Sequence, residues 1–147
     1  MNDVRFFTLE GKPQGKARVR VLRTGRAYTP EKTKNYERDL RQAYQKNDGD
    51  KPPFTGPVNI MIFAFFEPPK SASKKQREEM LLGHICPTIK PDFDNIAKIV
   101  CDALNGVAWL DDKQIVRASV YKFYGEEPRV SVQIMEESFI SNKPEGE

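Results

Sequence analysis

Two aspartates one residue apart, Asp92 and Asp94, open a helical pattern in which Lys98 and Asp102 follow Asp94 at four-residue steps. At about 100° per residue, Asp94, Lys98, Asp102 and Asn105 share one sector, with Asn95 at its margin and Asp92 just ahead of the first turn. A second acidic pair, Asp111-Asp112, follows shortly after. Carboxylates are hard oxygen donors that suit magnesium or manganese rather than zinc. Two or three of them converging from a helix start and a nearby loop can hold a cation that activates water and offsets charge on a phosphodiester. Lys98, one turn beyond Asp94, could neutralise charge developing on the phosphate or leaving oxygen, or pair with Asp94 when no metal is bound.

Other readings of these residues are weaker. Either Asp92 or Asp94 could simply cap the helix, which is common. A calcium loop that began at Asp92 would need glycine at its sixth position and an acid at its twelfth; Ala97 and Ala103 stand there. A phosphatase Asp-x-Asp would follow an apolar strand, whereas this pair follows Pro87-Thr88-Ile89-Lys90-Pro91. His84 is the only histidine, and no serine or cysteine is spaced to make a triad with it. Cys86 and Cys101 allow no disulfide framework and show no zinc spacing, which points to the reducing cytoplasm.

The element that must position this chemistry is itself unusual. Phe93, Ile96, Ala97, Ile99, Val100, Cys101, Ala103 and Leu104 make the helix apolar on most sides, the mark of a buried helix. Charge on such a helix is costly unless it meets something. A stripe lining a cleft that holds a metal resolves the conflict. Asn105-Gly106 supplies a left-handed residue to end the helix.

Around it, the 147 residues suffice for one domain with a real core. No apolar run reaches membrane-spanning length, and the start lacks a secretory pattern. The net charge of +3 is unremarkable, but residues 1–46 carry twelve Lys/Arg against five Asp/Glu, and residues 91–147 carry six against eleven. A basic part joined to an acidic part suits a protein that grips a polyanion and keeps carboxylates for a cation. Lys12, Lys16, Arg18, Arg20, Arg23 and Arg26 fall within fifteen residues that contain no acid. Over 16–23 they alternate with apolar residues, which predicts a strand with one basic face for phosphate contact. The alternative is a solvated edge strand.

Residues 4–10 read as a strand. Thr29-Pro30-Glu31 predicts a helix to about Lys46, with Thr29 as cap and Pro30 at its first position. Residues 57–66 are the most strand-like run and belong at the centre of a sheet. Lys70–Arg77 opens a short basic helix that reaches about Leu82. Residues 115–124 predict a strand, and 129–134 its hairpin partner across the turn 125–128. The end of the chain is polar, although Phe139 and Ile140 could dock.

The series Lys-Pro-Asp-Phe-Asp-Asn-Ile-x-Lys (90–98), Asp-Ala-Leu-Asn-Gly (102–106) and Trp-Leu-Asp-Asp-Lys-Gln-Ile-Val (109–116) resembles the RusA family of Holliday-junction resolvases, often carried by phages and prophages. The early Gly-Lys-Pro-Gln-Gly-Lys-Ala-Arg and Tyr-Thr-Pro segments fit too, so the resemblance covers most of residues 5–135. It implies that Asp92, Asp94 and Asp112 are catalytic metal-binding aspartates and that Lys98 is the catalytic lysine. Asp111 is then a supporting group or a cap, and Asp102 a partner for Lys98 or a structural group. The resemblance further implies a magnesium-dependent endonuclease, with manganese as a substitute, that acts as a homodimer on four-way branched DNA without a small-molecule cofactor or a membrane. The expected architecture is a single α+β domain over residues 1–136, a small mixed or antiparallel sheet packed against helices, with 137–147 as a polar tail. A nuclease for other branched or flapped DNA, or a silent junction-binding protein, are the rival readings. The long basic segment 70–87 departs from the family pattern.

Overall fold

A computed structural model describes residues 3–137 and 144–146. Phe139 and Ile140 lie outside the described residues. A four-stranded mixed sheet is ordered β1-β6-β4-β5, where β1 is Val4–Glu10, β4 Val58–Phe66, β5 Ile115–Tyr124 and β6 Arg129–Glu136. Short strands β2 (Arg20–Val21) and β3 (Ala27–Tyr28) pair only with each other. The helices are α1 (Glu31–Asp48), α2 (Lys74–Leu81) and α3 (Phe93–Leu104). This is the α+β class expected.

The apolar run of β4 does sit centrally, with β5 parallel on one side and β6 antiparallel on the other. The expected hairpin between 115–124 and 129–134 is therefore wrong: β4 lies between those strands. The connection 125–128 crosses the end of β4, where the Gly125 N–H donates to the Phe66 carbonyl at 2.9 Å. Four residues easily span the roughly 10 Å between alternate strands. The reason for this order is burial. Val58, Ile60, Ile62 and Ala64 are fully buried, and a strand this apolar is best paired on both edges. A parallel β4–β5 pair needs a crossover, and α2 and α3 occupy it.

One face of the sheet, with Phe7, Val130, Val132, Ile134 and the buried residues of β4, meets α1 and α3. On α1 the buried Tyr36, Leu40 and Tyr44 recur every four residues, and Phe7 meets Tyr44 edge-on at 6.1 Å between ring centroids. Pro30 rather than Thr29 stands in the cap position of α1, which has no side-chain cap and runs two residues beyond Lys46. The opposite face of the sheet carries Met61, Phe63, Phe65, Tyr121 and Phe123, with Phe63 stacked on Tyr121 at 5.1 Å.

Helix α2 is shorter than expected because Ser73 caps it: the Ser73 hydroxyl accepts from Gln76 N–H, and the Gln76 side chain accepts from Ser73 N–H. The strand expected over 16–23 shrinks to Arg20–Val21. Val19, Val21 and Leu22 are all about half exposed or more, so neither face of the arm buries enough apolar surface to support a longer ladder.

Candidate active site and nucleic-acid interface

Helix α3 delivers the central carboxylates. Ile96, Ile99, Val100, Ala103 and Leu104 are fully buried and fix its rotation, so the polar stripe must face outward. Asp92 takes the cap position with extended backbone (φ −67°, ψ 154°), yet its side chain makes no cap hydrogen bond. Its carboxylate is not spent on the helix, which removes the capping alternative for that residue. Asp94 stands exposed in the first turn, where the helix dipole favours a negative charge. At the other end the chain turns at Gly106, with φ +79°.

The approach to α3 is braced from two sides. Gly15 presses against it so closely that a Cβ there would lie 2.7 Å from Pro91 Cβ and 2.9 Å from Asn95 Cβ. The next residue bonds across the contact, Lys16 N–H to the Asn95 carbonyl at 2.9 Å. From β5, the Lys122 ammonium donates to the Ile89 carbonyl and, at 3.1 Å, to the Pro91 carbonyl. Asn95 thus supports the site through its backbone and its packing.

Lys98 pairs with Asp102 at 3.6 Å, not with Asp94. Asp102 has a nearer cation, Lys16 at 3.2 Å, and Lys before Asp is the weaker order for such a helical pair. The exposed Lys98 ammonium is accordingly only loosely held. Lys16 is the departure among the six arm cations. Its side chain is 15% exposed and bonded to Glu37 of α1 as well as to Asp102. Burial lowers its pKa, but these two carboxylates more than compensate and hold it above the ordinary lysine value. Lys16 therefore clamps the arm to α1 and α3.

Asp111 and Asp112 have separate jobs. Asp111 caps the single 3₁₀ turn Asp112–Gln114, its Oδ1 accepting from Lys113 N–H at 3.0 Å. The cap reading of Asp111 is the one observed. Asp112 Oδ1 accepts from the indole N–H of the fully buried Trp109 at 2.8 Å. Its charge reaches α3: burial first, then the charges of Asp112 and Asp102, push the Cys101 thiol up to about 12, against Lys98. Gln114 completes the loop. Its amide donates to the Phe54 and Gly56 carbonyls and accepts from the Leu110 and Asp111 N–H groups.

Two clefts meet at Asp92. One, of about 710 Å³, is lined by Lys12, Lys16, Arg18, Arg20, Lys32 and Lys90 together with Asp92 and Asn95. The second, of about 560 Å³, contains Asp92, Asp94, Phe93, Ile89, Lys90 and Lys122. The arm is thus brought to the carboxylates through Lys12, Arg18 and Arg20, while Arg23 and Arg26 sit farther out on the exposed turn. Sequence reasoning missed Lys32, Lys90, Lys122 and Gln114. Two of them had a signal, Lys90 in its place beside the Asp-x-Asp pair and Gln114 within the Trp-Leu-Asp-Asp-Lys-Gln series.

As a test of metal fit, the donor set is all oxygen, and Asp92 has no competing cap bond. Among the described residues, however, no three His, Cys, Asp or Glu side chains are gathered as around a metal. Magnesium tolerates this, since it is usually held by one or two carboxylates, waters and substrate phosphate rather than a closed protein cage. Asp92 and Asp94 suit that mode.

A family model described as endodeoxyribonuclease RusA matches residues 10–135. The uncharacterized protein YqaN of Bacillus subtilis (strain 168) is 39% identical over 137 residues, spanning 90% of this chain and 96% of that protein.

Proposed function

We infer the activity from family and geometry together: this chain belongs to the endodeoxyribonuclease RusA family. Within it, the reading best supported is a magnesium-dependent endonuclease that resolves four-way branched DNA by paired cuts. The observation that carries this reading is the position of Asp92 on both clefts. A strand whose phosphates follow the cations of the larger cleft is led to the carboxylates.

Asp92 and Asp94 would hold the cation, with manganese a substitute, and Asp112, which is not gathered with them among the described residues, is proposed as the third carboxylate. When bound, such an ion supplies a more acidic water and neutralises phosphodiester charge. The chain's own groups do the rest. Lys12, Arg18, Arg20 and Lys90 bind and orient the backbone. Lys98, weakly held by Asp102, is free to reach a phosphate or leaving oxygen and stabilise its charge. The Gly15 contact and the Lys122 bonds keep the first turn of α3 in place.

Digestion of a panel of junction, fork, flap and duplex DNA in magnesium tests the reading. Junctions should be cut in two opposed strands, and preferred cutting of flaps would transfer the assignment to another branched substrate. Asp94→Asn should lower cleavage on the order of a thousandfold while junction binding holds or improves. Undiminished cleavage by that variant would remove Asp94 from the chemistry.

Two opposed cuts call for two active sites, and a junction of approximate two-fold symmetry suits a two-fold dimer. The sheet face opposite α1 and α3 fits a second copy. Across it run Phe6, Gln133, Met61 and Ser119, then Thr8, Ser131, Phe63 and Tyr121. Neither row carries a charge, while Glu10, Arg129 and Arg117 stand at the rim, the usual arrangement of an interface. Light scattering should give the mass of two protomers, and Tyr121→Asp that of one. A parent that is monomeric at micromolar concentration rejects the dimer.

A further inference from the structure

Phe93 is the residue between the two carboxylates, and it is 67% exposed. It contributes little to the core although it belongs to the most deeply buried helix. A single exposed apolar side chain is ordinary, but Phe93 is not single. Ile89, 48% exposed, lies on the same cleft as Phe93, Asp92 and Asp94. Ile89 is also firmly placed, because Lys122 bonds to its carbonyl and to that of Pro91.

The two clefts therefore differ in the surface they offer. The larger has cations along its wall, whereas the smaller adds an aromatic and an aliphatic side chain directly beside the carboxylates. A nucleotide has the same two parts, an anionic backbone and an apolar base face. Asp92 and Lys90 are shared by both clefts, so a phosphate there would have Phe93 on one side, open to an attached base.

We propose that Phe93, flanked by Ile89, is a platform for an unstacked nucleobase beside the scissile phosphate, and that this contact directs cutting to branch points. The proposal rests on the nuclease reading above and deepens it. In continuous duplex a base face is covered by its neighbours, and exposing it costs a few kcal/mol. At a branch point the stack is already interrupted, so the platform is reached at lower cost. Phe93 acts by positioning and takes no part in proton or metal chemistry.

The experiment uses the full chain in magnesium, with single-turnover cleavage of a four-way junction whose cut sites have first been mapped. Each nucleotide flanking the cut is replaced in turn by an abasic one. Phe93→Ala should cut the intact junction roughly tenfold more slowly, with Phe93→Trp restored and the magnesium dependence unchanged. An abasic nucleotide at one flanking position should slow the parent similarly and slow Phe93→Ala no further, since both changes remove the same contact. Equal rates for Phe93→Ala and parent, or losses that multiply at both positions, would overturn the platform. If the parent itself cuts no branched DNA, the nuclease reading falls first and takes the platform with it. That failure is seen in the parent, and the other in the variants.

Discussion

The arm of residues 12–28 and helix α3 are both charged, but they are held in opposite ways. The arm pairs over only two residues in each strand, and Arg18, Arg20, Arg23 and Arg26 are largely solvent-facing. Helix α3 fills the core with five fully buried side chains and carries Asp92 and Asp94 at its N-terminal end. The difference follows from what each interaction tolerates. Attraction to phosphate falls slowly with distance, so a soft arm can make it. Metal ligation and attack on phosphorus fail with displacements of about 1 Å, so those groups belong on a rigid element. Between the two lies a joint of Gly15 and Lys16, and substitutions at the rigid end, at the joint and along the arm should have different effects.

The largest effect is expected at the rigid end. Asp112 has a structural bond to Trp109 and a charge directed at α3, and two substitutions separate them. Asp112→Asn keeps an acceptor for the indole N–H and removes the charge. It should lose cleavage on the order of a thousandfold with an unchanged melting temperature. Asp112→Ala also leaves the buried indole unpaired, at an added cost of roughly 1–3 kcal/mol of stability. Equal stability losses in the two variants, read by denaturant unfolding, would show that the charge matters to the fold itself.

At the joint, Gly15→Val should lower cleavage about tenfold to a hundredfold, the scale of a misplacement near 1 Å. The contacts that a Cβ would meet are the side-chain carbons of Pro91 and Asn95, so the arm must lift away from α3. Circular dichroism should stay at the parent's value, because the contact is with the outward side of α3 and its buried residues are not touched. Full activity in this variant would uncouple the arm from the catalytic helix.

How much of the molecule is legible in its sequence follows the same division. Helix α3 is legible because its burial and its stripe both follow one period, and that period places Asp94 and Lys98 on one side with Asp92 just ahead of the first turn. The central place of β4 is legible from its apolar run. Its neighbours are not: alternation reports which face a residue takes, not which strand lies beside it, so the insertion of β4 between β5 and β6 overturns a hairpin that the turn residues favour. The roles of Gln114 and Lys122 are not legible because their partners are backbone carbonyls distant in sequence, Phe54 and Gly56 for one, Ile89 and Pro91 for the other. Lys16 and Arg18 belong to one alternating run, and no pattern in that run separates a clamp from a phosphate contact.

That last pair gives the smallest and most discriminating test. Arg18→Ala should weaken junction binding severalfold and reduce the salt slope by about 0.9, the value for one lost phosphate contact, with stability unchanged. Lys16→Met should do the reverse. It removes the cation that Glu37 and Asp102 share and leaves Asp102 only its looser pair with Lys98, so stability should fall by roughly 1–3 kcal/mol while the salt slope holds. Its pH dependence has a definite sign. Because the Lys16 pKa is raised in the folded protein, its contribution is fully present below the ordinary lysine pKa and is lost as pH rises through the raised value. The stability gap between parent and Lys16→Met should therefore be flat through neutral pH and close only in strong alkali. A Lys16→Met variant with the parent's stability and a reduced salt slope would return Lys16 to the arm, and the rigid region would then begin at Pro91 rather than at Gly15.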